Sequence, residues 1–188
     1  VRTFNIPNTL TWLRIALIPV FLFVFYLPFH YSRLLAAFLF LLAAITDWLD
    51  GFLARQLHQT SAFGAFLDPV ADKLMVATAL LLLVSQYPTP WVVIPGIVIV
   101  CREILISALR EWMAELGKRA IVKVSFLGKF KTVMQMIALL ILISQPTSMS
   151  FWVITGIILM YVAVLLTLWS MLVYLNIAWK TLKDMPNL

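Results

Sequence analysis

The sequence predicts an all-α integral membrane protein, a bundle of six transmembrane helices, and three observations carry that expectation. Hydrophobic residues make up 63% of the chain and the mean hydropathy is +1.02, well outside the composition of soluble domains. The apolar residues fall in runs close to the ~20 that a helix needs to cross a bilayer core. The remaining charges gather in a few short stretches, with no spread-out charged face. At 188 residues, without internal repeats, low-complexity tracts or a separable soluble segment, residues 1–188 read as a single membrane domain.

The first apolar run, about 9–28, is long, contains Arg14 and Pro19, and lacks a small-x-small cleavage site. It therefore reads as a helix and not as a signal peptide. The second, about 33–57, runs into the first half of an acidic motif, and the third, about 66–86, opens on the second half. Pro88 and Pro90 punctuate the turn into the fourth span, about 91–114. The fifth, about 131–146, closes at Pro146 and Ser148, and the sixth covers about 151–176.

Orientation follows from Lys and Arg, which favour cytoplasmic loops. The links near 86–91 and 146–151 carry no charge, and the link near 28–33 carries only Arg33. The link between spans four and five carries Lys118, Arg119, Lys123, Lys129 and Lys131, and the termini add Arg2, Lys180 and Lys183. Both termini and the 58–65 link are thus expected in the cytoplasm. The net charge of +6, collected on that face, suits an anionic membrane surface. Nucleic acid is a poor partner for it, because no soluble surface carries the charge. The lone Cys101 permits no internal disulfide and reads as a span residue. Trp12, Trp112 and Trp179 at one boundary, and Trp91 and Trp152 at the other, read as interfacial anchors.

Four of the eight acidic residues lie in one short region, Asp47, Asp50, Asp68 and Asp72. A charged group at the bilayer centre costs roughly 2.5–3.5 kcal/mol on insertion scales, so four together require strong compensation. Asp47 and Asp50, three apart, share a helix face with Gly51, which leaves room for a bulky group to approach the backbone. Asp68 and Asp72, four apart, share a face with Gly64, or Asp68 caps the helix with Pro69 in its first turn. Measured from inner ends near residues 58 and 66, Asp50 lies roughly 12 Å, Asp47 roughly 16 Å and Asp72 roughly 9 Å along their helices, one common level. Carboxylates crowded in this way drive protons onto one another unless a cation intervenes. Hard oxygen donors without His or Cys point to Mg²⁺, Mn²⁺ or Ca²⁺. A carboxylate bridging two ions is a geometry used in phosphoryl displacement, and Arg55 suits a phosphate oxygen. A buried ion-pair network and a proton or cation pathway are the other uses of such carboxylates. No second copy of the motif is present to form the matched halves of a transporter.

The string Asp47-x2-Asp50-Gly51-x2-Ala54-Arg55-x8-Gly64-x3-Asp68-x3-Asp72 resembles the signature of the CDP-alcohol phosphatidyltransferases. The resemblance implies six membrane helices in a bacterial inner membrane, with the active site facing the cytoplasm. It implies two divalent ions, Mg²⁺ or Mn²⁺, on the four aspartates, with Asp72 also the general base. Gly51, Ala54, Arg55 and Gly64 are then expected to shape the site for CDP-diacylglycerol. The segments from Asn5 to Arg14, Arg102-Glu103 to Arg110-Glu111, and Gly128 to Thr132 extend the likeness to the branch whose acceptor is sn-glycerol 3-phosphate. Sister branches use inositol phosphate, serine or phosphatidylglycerol. A homodimer in phospholipid is also implied.

An acceptor bearing its own phosphate needs cations beyond the metals. Arg102 and Arg110, eight apart, line one face of span four. Arg110 and Lys131 lead as ligands of the acceptor phosphate, followed by Lys129 and Arg14, against the alternative that these residues anchor the cytoplasmic face. Glu103 and Glu111, also eight apart, read as partners holding the arginines in register. His30 is remote from the motif, His58 reads as an exposed loop residue, and Trp48 as bundle packing.

Overall fold

The computed structural model describes residues 6–56, 62–116, 126–146 and 148–183. Six α-helices follow one another: α1 (Ile6–Tyr26), α2 (Ser32–Gln56), α3 (Ala62–Gln86), α4 (Pro90–Glu115), α5 (Phe126–Ser144) and α6 (Phe151–Lys183). The helix count matches the six apolar runs. Three helices contain stretches long and apolar enough to cross a membrane: Thr9–Tyr26, Pro90–Glu115 and Phe151–Asn176. A shorter apolar stretch covers Phe130–Ser144. Large apolar side chains such as Phe23, Phe38, Leu81, Ile104, Leu165 and Trp169 face outward, the inverse of a soluble surface and suited to lipid. The five anchor tryptophans are all exposed.

Three boundaries differ from the apolar runs by four residues or more. α3 begins at Ala62, so Pro69 is inside the helix and Asp68 is not its cap. α5 begins at Phe126, which places Lys131 inside it and not at its start. α6 runs on to Lys183. An apolar run marks the stretch that sits in hydrocarbon, whereas backbone hydrogen bonding carries a helix through the polar interface until a breaker stops it.

The chain forms two compact units, each assembled from two segments. The first comprises Val1–Tyr87 and Leu139–Val153. In it α1 packs on α2 and α3. Ala36, Phe40 and Ala43, at helical spacing on one face of α2, are buried, and the alanines permit the close helix approach on which membrane packing depends. The Phe21 and Phe40 rings lie 6.1 Å apart between α1 and α2. At the other end of α3, the Tyr87 hydroxyl donates to the Pro146 carbonyl (2.9 Å) and Gln86 Nε2 to the Gln145 carbonyl (2.9 Å). These bonds satisfy carbonyls just beyond the end of α5 that have no helical partner. Burial there pushes the Tyr87 phenol above its usual pKa, against a smaller opposing pull from the Arg33 charge.

The second unit comprises Pro88–Ala138 and Ile154–Leu188. Pro90 opens α4 after Thr89 in extended backbone, a position where proline's missing N–H costs nothing. Val92, Ile99, Ile106 and Met113 form the buried stripe of α4. Met160, Ala163 and Val164 are the buried apolar residues at the centre of α6. Polar side chains continue these buried faces: Arg102 on α4, Lys131 and Gln135 on α5, and Thr167 and Ser170 on α6.

Candidate functional site

The acidic motif lies at the Gln56 end of α2 and the Ala62 end of α3. Asp50, Gly51, Ala54 and Arg55 continue α2 as helix, but their side chains lie outside the described residues, as do His58 and the side chain of Trp48. Asp47, Asp68 and Asp72 are partly exposed, and Gly64 is buried.

Each helix of the motif is tied to α1. Arg14, only 1% exposed, donates from Nη1 to Asp47 Oδ1 at 2.6 Å. Thr11, fully buried, donates from Oγ1 to Asp68 Oδ1 at 2.5 Å. Thr11 and Arg14 are three residues apart, on one face of α1 and about 4.5 Å apart along its axis. One face of α1 therefore orients a carboxylate of α2 and a carboxylate of α3. A carboxylate has two oxygens and about four lone-pair sites, so one hydrogen bond fixes its plane and leaves acceptor capacity for a ligand.

The sequence reading places Arg14, with Lys129, behind Arg110 and Lys131 as an acceptor-phosphate candidate, and includes Thr11 only in the Asn5–Arg14 segment, with no role in the site. Their signal was present: they are polar, three apart, and lie in an otherwise apolar span. Arg14 is buried against Asp47 because an arginine in this setting needs a partner, and the nearest anion in the first unit is the motif's own. Among the described residues no group of three carboxylate, imidazole or thiol side chains is placed to hold an ion. Asp47 and Asp68 each accept a hydrogen bond from α1, and the side chain of Asp50 lies outside the described residues. The donor chemistry fits a hard divalent cation, since every candidate ligand is a carboxylate oxygen.

The second unit holds the other charged cluster. Arg102 Nη1 (3.0 Å) and Lys131 Nζ (2.7 Å) both donate to Glu103 Oε1. Arg102 Nη2 donates to Ser170 Oγ on α6 at 2.8 Å, and Ser170 Oγ donates in turn to the Thr167 carbonyl. Arg110 is exposed, with its guanidinium 5.5 Å from the centre of the Tyr174 ring on α6. Arg102 and Arg110 thus share the α6-facing side of α4, as their spacing predicts. Glu103 holds Arg102 as expected and also holds Lys131, a pairing across helices that spacing could not reveal. Glu111 is exposed. The side chain of Lys129, together with Lys118, Arg119 and Lys123, lies outside the described residues.

Comparison with known proteins identifies relatives across this whole arrangement. Residues 4–169 match the family model described as CDP-alcohol phosphatidyltransferase. A protein of Salmonella typhimurium is 55% identical over 96% of this chain and 98% of its own length. One of Escherichia coli K12 shows the same identity and coverage. A relative from Pseudomonas fluorescens is 54% identical over 95% of this chain and 92% of its own. All three are named CDP-diacylglycerol–glycerol-3-phosphate 3-phosphatidyltransferase.

Proposed function

The chain belongs to the CDP-alcohol phosphatidyltransferase family, and from that premise we propose that it transfers the phosphatidyl group of CDP-diacylglycerol to sn-glycerol 3-phosphate, giving phosphatidylglycerophosphate and CMP. The observation that carries this reading is identity of 54–55% over nearly the full length to relatives named for that reaction. The family match runs through both compact units, which supports one catalytic domain over residues 1–188.

The reaction is a single displacement at phosphorus. Asp72 accepts the proton of the C1 hydroxyl, and the resulting alkoxide attacks the phosphorus that bears diacylglycerol as CMP departs. A base within hydrogen-bond reach contributes roughly 10²–10⁴ to such a step. Asp47, Asp50, Asp68 and Asp72 would hold two divalent ions, Mg²⁺ or Mn²⁺, whose charge would neutralise the pyrophosphate and the leaving group. Thr11 and Arg14 keep Asp68 and Asp47 oriented, so that little reorganisation accompanies binding. Gly51, Ala54, Arg55 and Gly64 shape the seat for CDP-diacylglycerol, the small residues by leaving space and Arg55 by its paired donors. Arg110 and Lys131 hold the acceptor's phosphate, with Lys129 and Arg14 behind them. Burial of Arg14 on Asp47 favours carboxylate positioning as its main role.

The helices are read as six spans of a bacterial inner membrane, with termini and active site cytoplasmic. Helix lengths support this: α2 and α3, at 25 residues each, extend about 37 Å. The loop charges give the orientation. A homodimer in phospholipid rests on the family resemblance alone.

The test is divalent-ion-dependent CMP release from CDP-diacylglycerol by the purified protein, with sn-glycerol 3-phosphate, inositol phosphate, serine and phosphatidylglycerol offered separately. Release with sn-glycerol 3-phosphate alone is expected. Release with a different acceptor would overturn the acceptor while keeping the chemistry, and no release from folded protein would overturn both.

A further inference from the structure

Within the second unit, two buried cations share a single carboxylate oxygen. Arg102 is 6% exposed and Lys131 4%, and both donate to Glu103 Oε1. The arginine's second arm is satisfied by neutral Ser170, and its buried Nε has no hydrogen-bond partner. The three ionised groups therefore sum to one excess positive charge in a water-poor setting, where an uncompensated ion is costly. A second anion would relieve it. Glu103 is the most accessible of the three, with 31% of its side chain exposed, so an arriving anion meets Lys131 and Arg102 beside or in place of that carboxylate.

A phosphate monoester suits the vacancy in charge. It carries about −1.5 to −2 near neutral pH and offers several strong acceptor oxygens to an ammonium and a guanidinium. Its difficulty is Glu103, which already takes the short 2.7 Å bond from Lys131. A phosphate oxygen bound to the same ammonium would lie within a few ångströms of a like charge. The carboxylate must rotate away or repel the ligand. A dianion with several oxygens outcompetes it, whereas a monoanionic carboxylate compound gains nothing by replacing one carboxylate with another.

We propose that Glu103 acts as an internal competitor of the acceptor's phosphate for Lys131 and Arg102, setting both the affinity and the selectivity of that subsite. This rests on the reading of Lys131 as an acceptor-phosphate ligand. The experiment is steady-state CMP release by Glu103→Gln, which keeps the shape and an acceptor oxygen but removes the charge. The KM for sn-glycerol 3-phosphate and the Ki of inorganic phosphate should both fall, by roughly twofold to fivefold, the scale of a partly exposed charge interaction. The KM for CDP-diacylglycerol should not fall with them. A structural defect would instead raise both KM values and lower kcat. An unchanged or raised acceptor KM would overturn the proposal. If the glutamine variant does not fold, Glu103→Asp, which withdraws the charge by one methylene, should show the same fall to a smaller extent, and its absence there would equally overturn it. Lys131→Gln separates the two levels. If it raises the acceptor KM while the Glu103 variants leave that constant unchanged, only the competition fails. If Lys131→Gln leaves the acceptor KM unchanged, the underlying assignment of Lys131 fails, and the proposal with it.

Discussion

The two compact units handle charge in opposite ways. In the first, the acids are partly exposed and their partners are buried: Arg14 and Thr11 sit inside the helix packing and reach out to Asp47 and Asp68. In the second, the cations are buried and their acid is the accessible member: Arg102 and Lys131 lie inside and Glu103 toward the surface. The first arrangement presents oriented oxygens with capacity to spare, as a cation site requires. The second presents an excess of positive charge partly masked by one carboxylate, as an anion site requires. One of the first unit's anchors is a neutral hydroxyl, so its acids retain most of their negative charge. The second unit's hub is a full carboxylate, so its cations do not retain all of theirs. Both units bury polar side chains within a mostly apolar core, and the sign of the uncompensated charge separates the roles proposed for them.

Removing the proposed base strikes the first unit hardest. Asp72→Asn keeps the side chain's size but removes both the base and one anionic ligand of the ions, and should lower CMP release at saturating substrates by at least the roughly 10²–10⁴ that proton transfer alone contributes. A near-normal rate would remove Asp72 as the base. A smaller effect is expected in stability. Arg14→Met strips Asp47 of its buried partner and should destabilise the detergent-solubilised protein by about 2–3 kcal/mol, below the full cost of breaking a buried pair because Asp47 is partly exposed. Asp47→Asn added to it should recover part of that loss, as a double-mutant cycle by thermal unfolding would read. Strict additivity would mean that the 2.6 Å contact carries little energy, and the contrast between the units would lose its first half.

Much of this was legible in the sequence because charge is rare in it. The aspartates, standing in apolar runs, marked the candidate site near the Gln56 end of α2 and the Ala62 end of α3, and the eight-residue spacing of Arg102 and Arg110 placed both on one face of α4. Contacts between helices were not legible. Thr11 stands three residues from Arg14, but the carboxylate it orients is identified only when α1 lies against α3. The joining of Glu103 to Lys131 depends in the same way on α4 meeting α5. Helix starts were also hidden: Ala62–Gly64 follows a polar link and brings a glycine, a weak helix former, although the helix already exists there. Of the two readings of Asp68, a position sharing a helix face with Asp72 and Gly64 or a helix cap, the early start of α3 leaves the first.

The division of labour between the two clusters is tested most directly by mapping CMP release over a grid of Mg²⁺ and sn-glycerol 3-phosphate concentrations for wild type, Thr11→Val and Arg110→Ala. Thr11→Val removes the hydroxyl that orients Asp68 and should raise the Mg²⁺ concentration for half-maximal activity by about tenfold, the lower end of what outer-shell partners contribute to metal affinity. Its acceptor KM should stay near the wild-type value. Arg110→Ala should do the reverse, raising the acceptor KM several-fold with the Mg²⁺ midpoint and the CDP-diacylglycerol KM unmoved. If either substitution shifts both axes together, or each shifts the axis assigned to the other, the separation of a cation-holding cluster from an anion-holding one is contradicted.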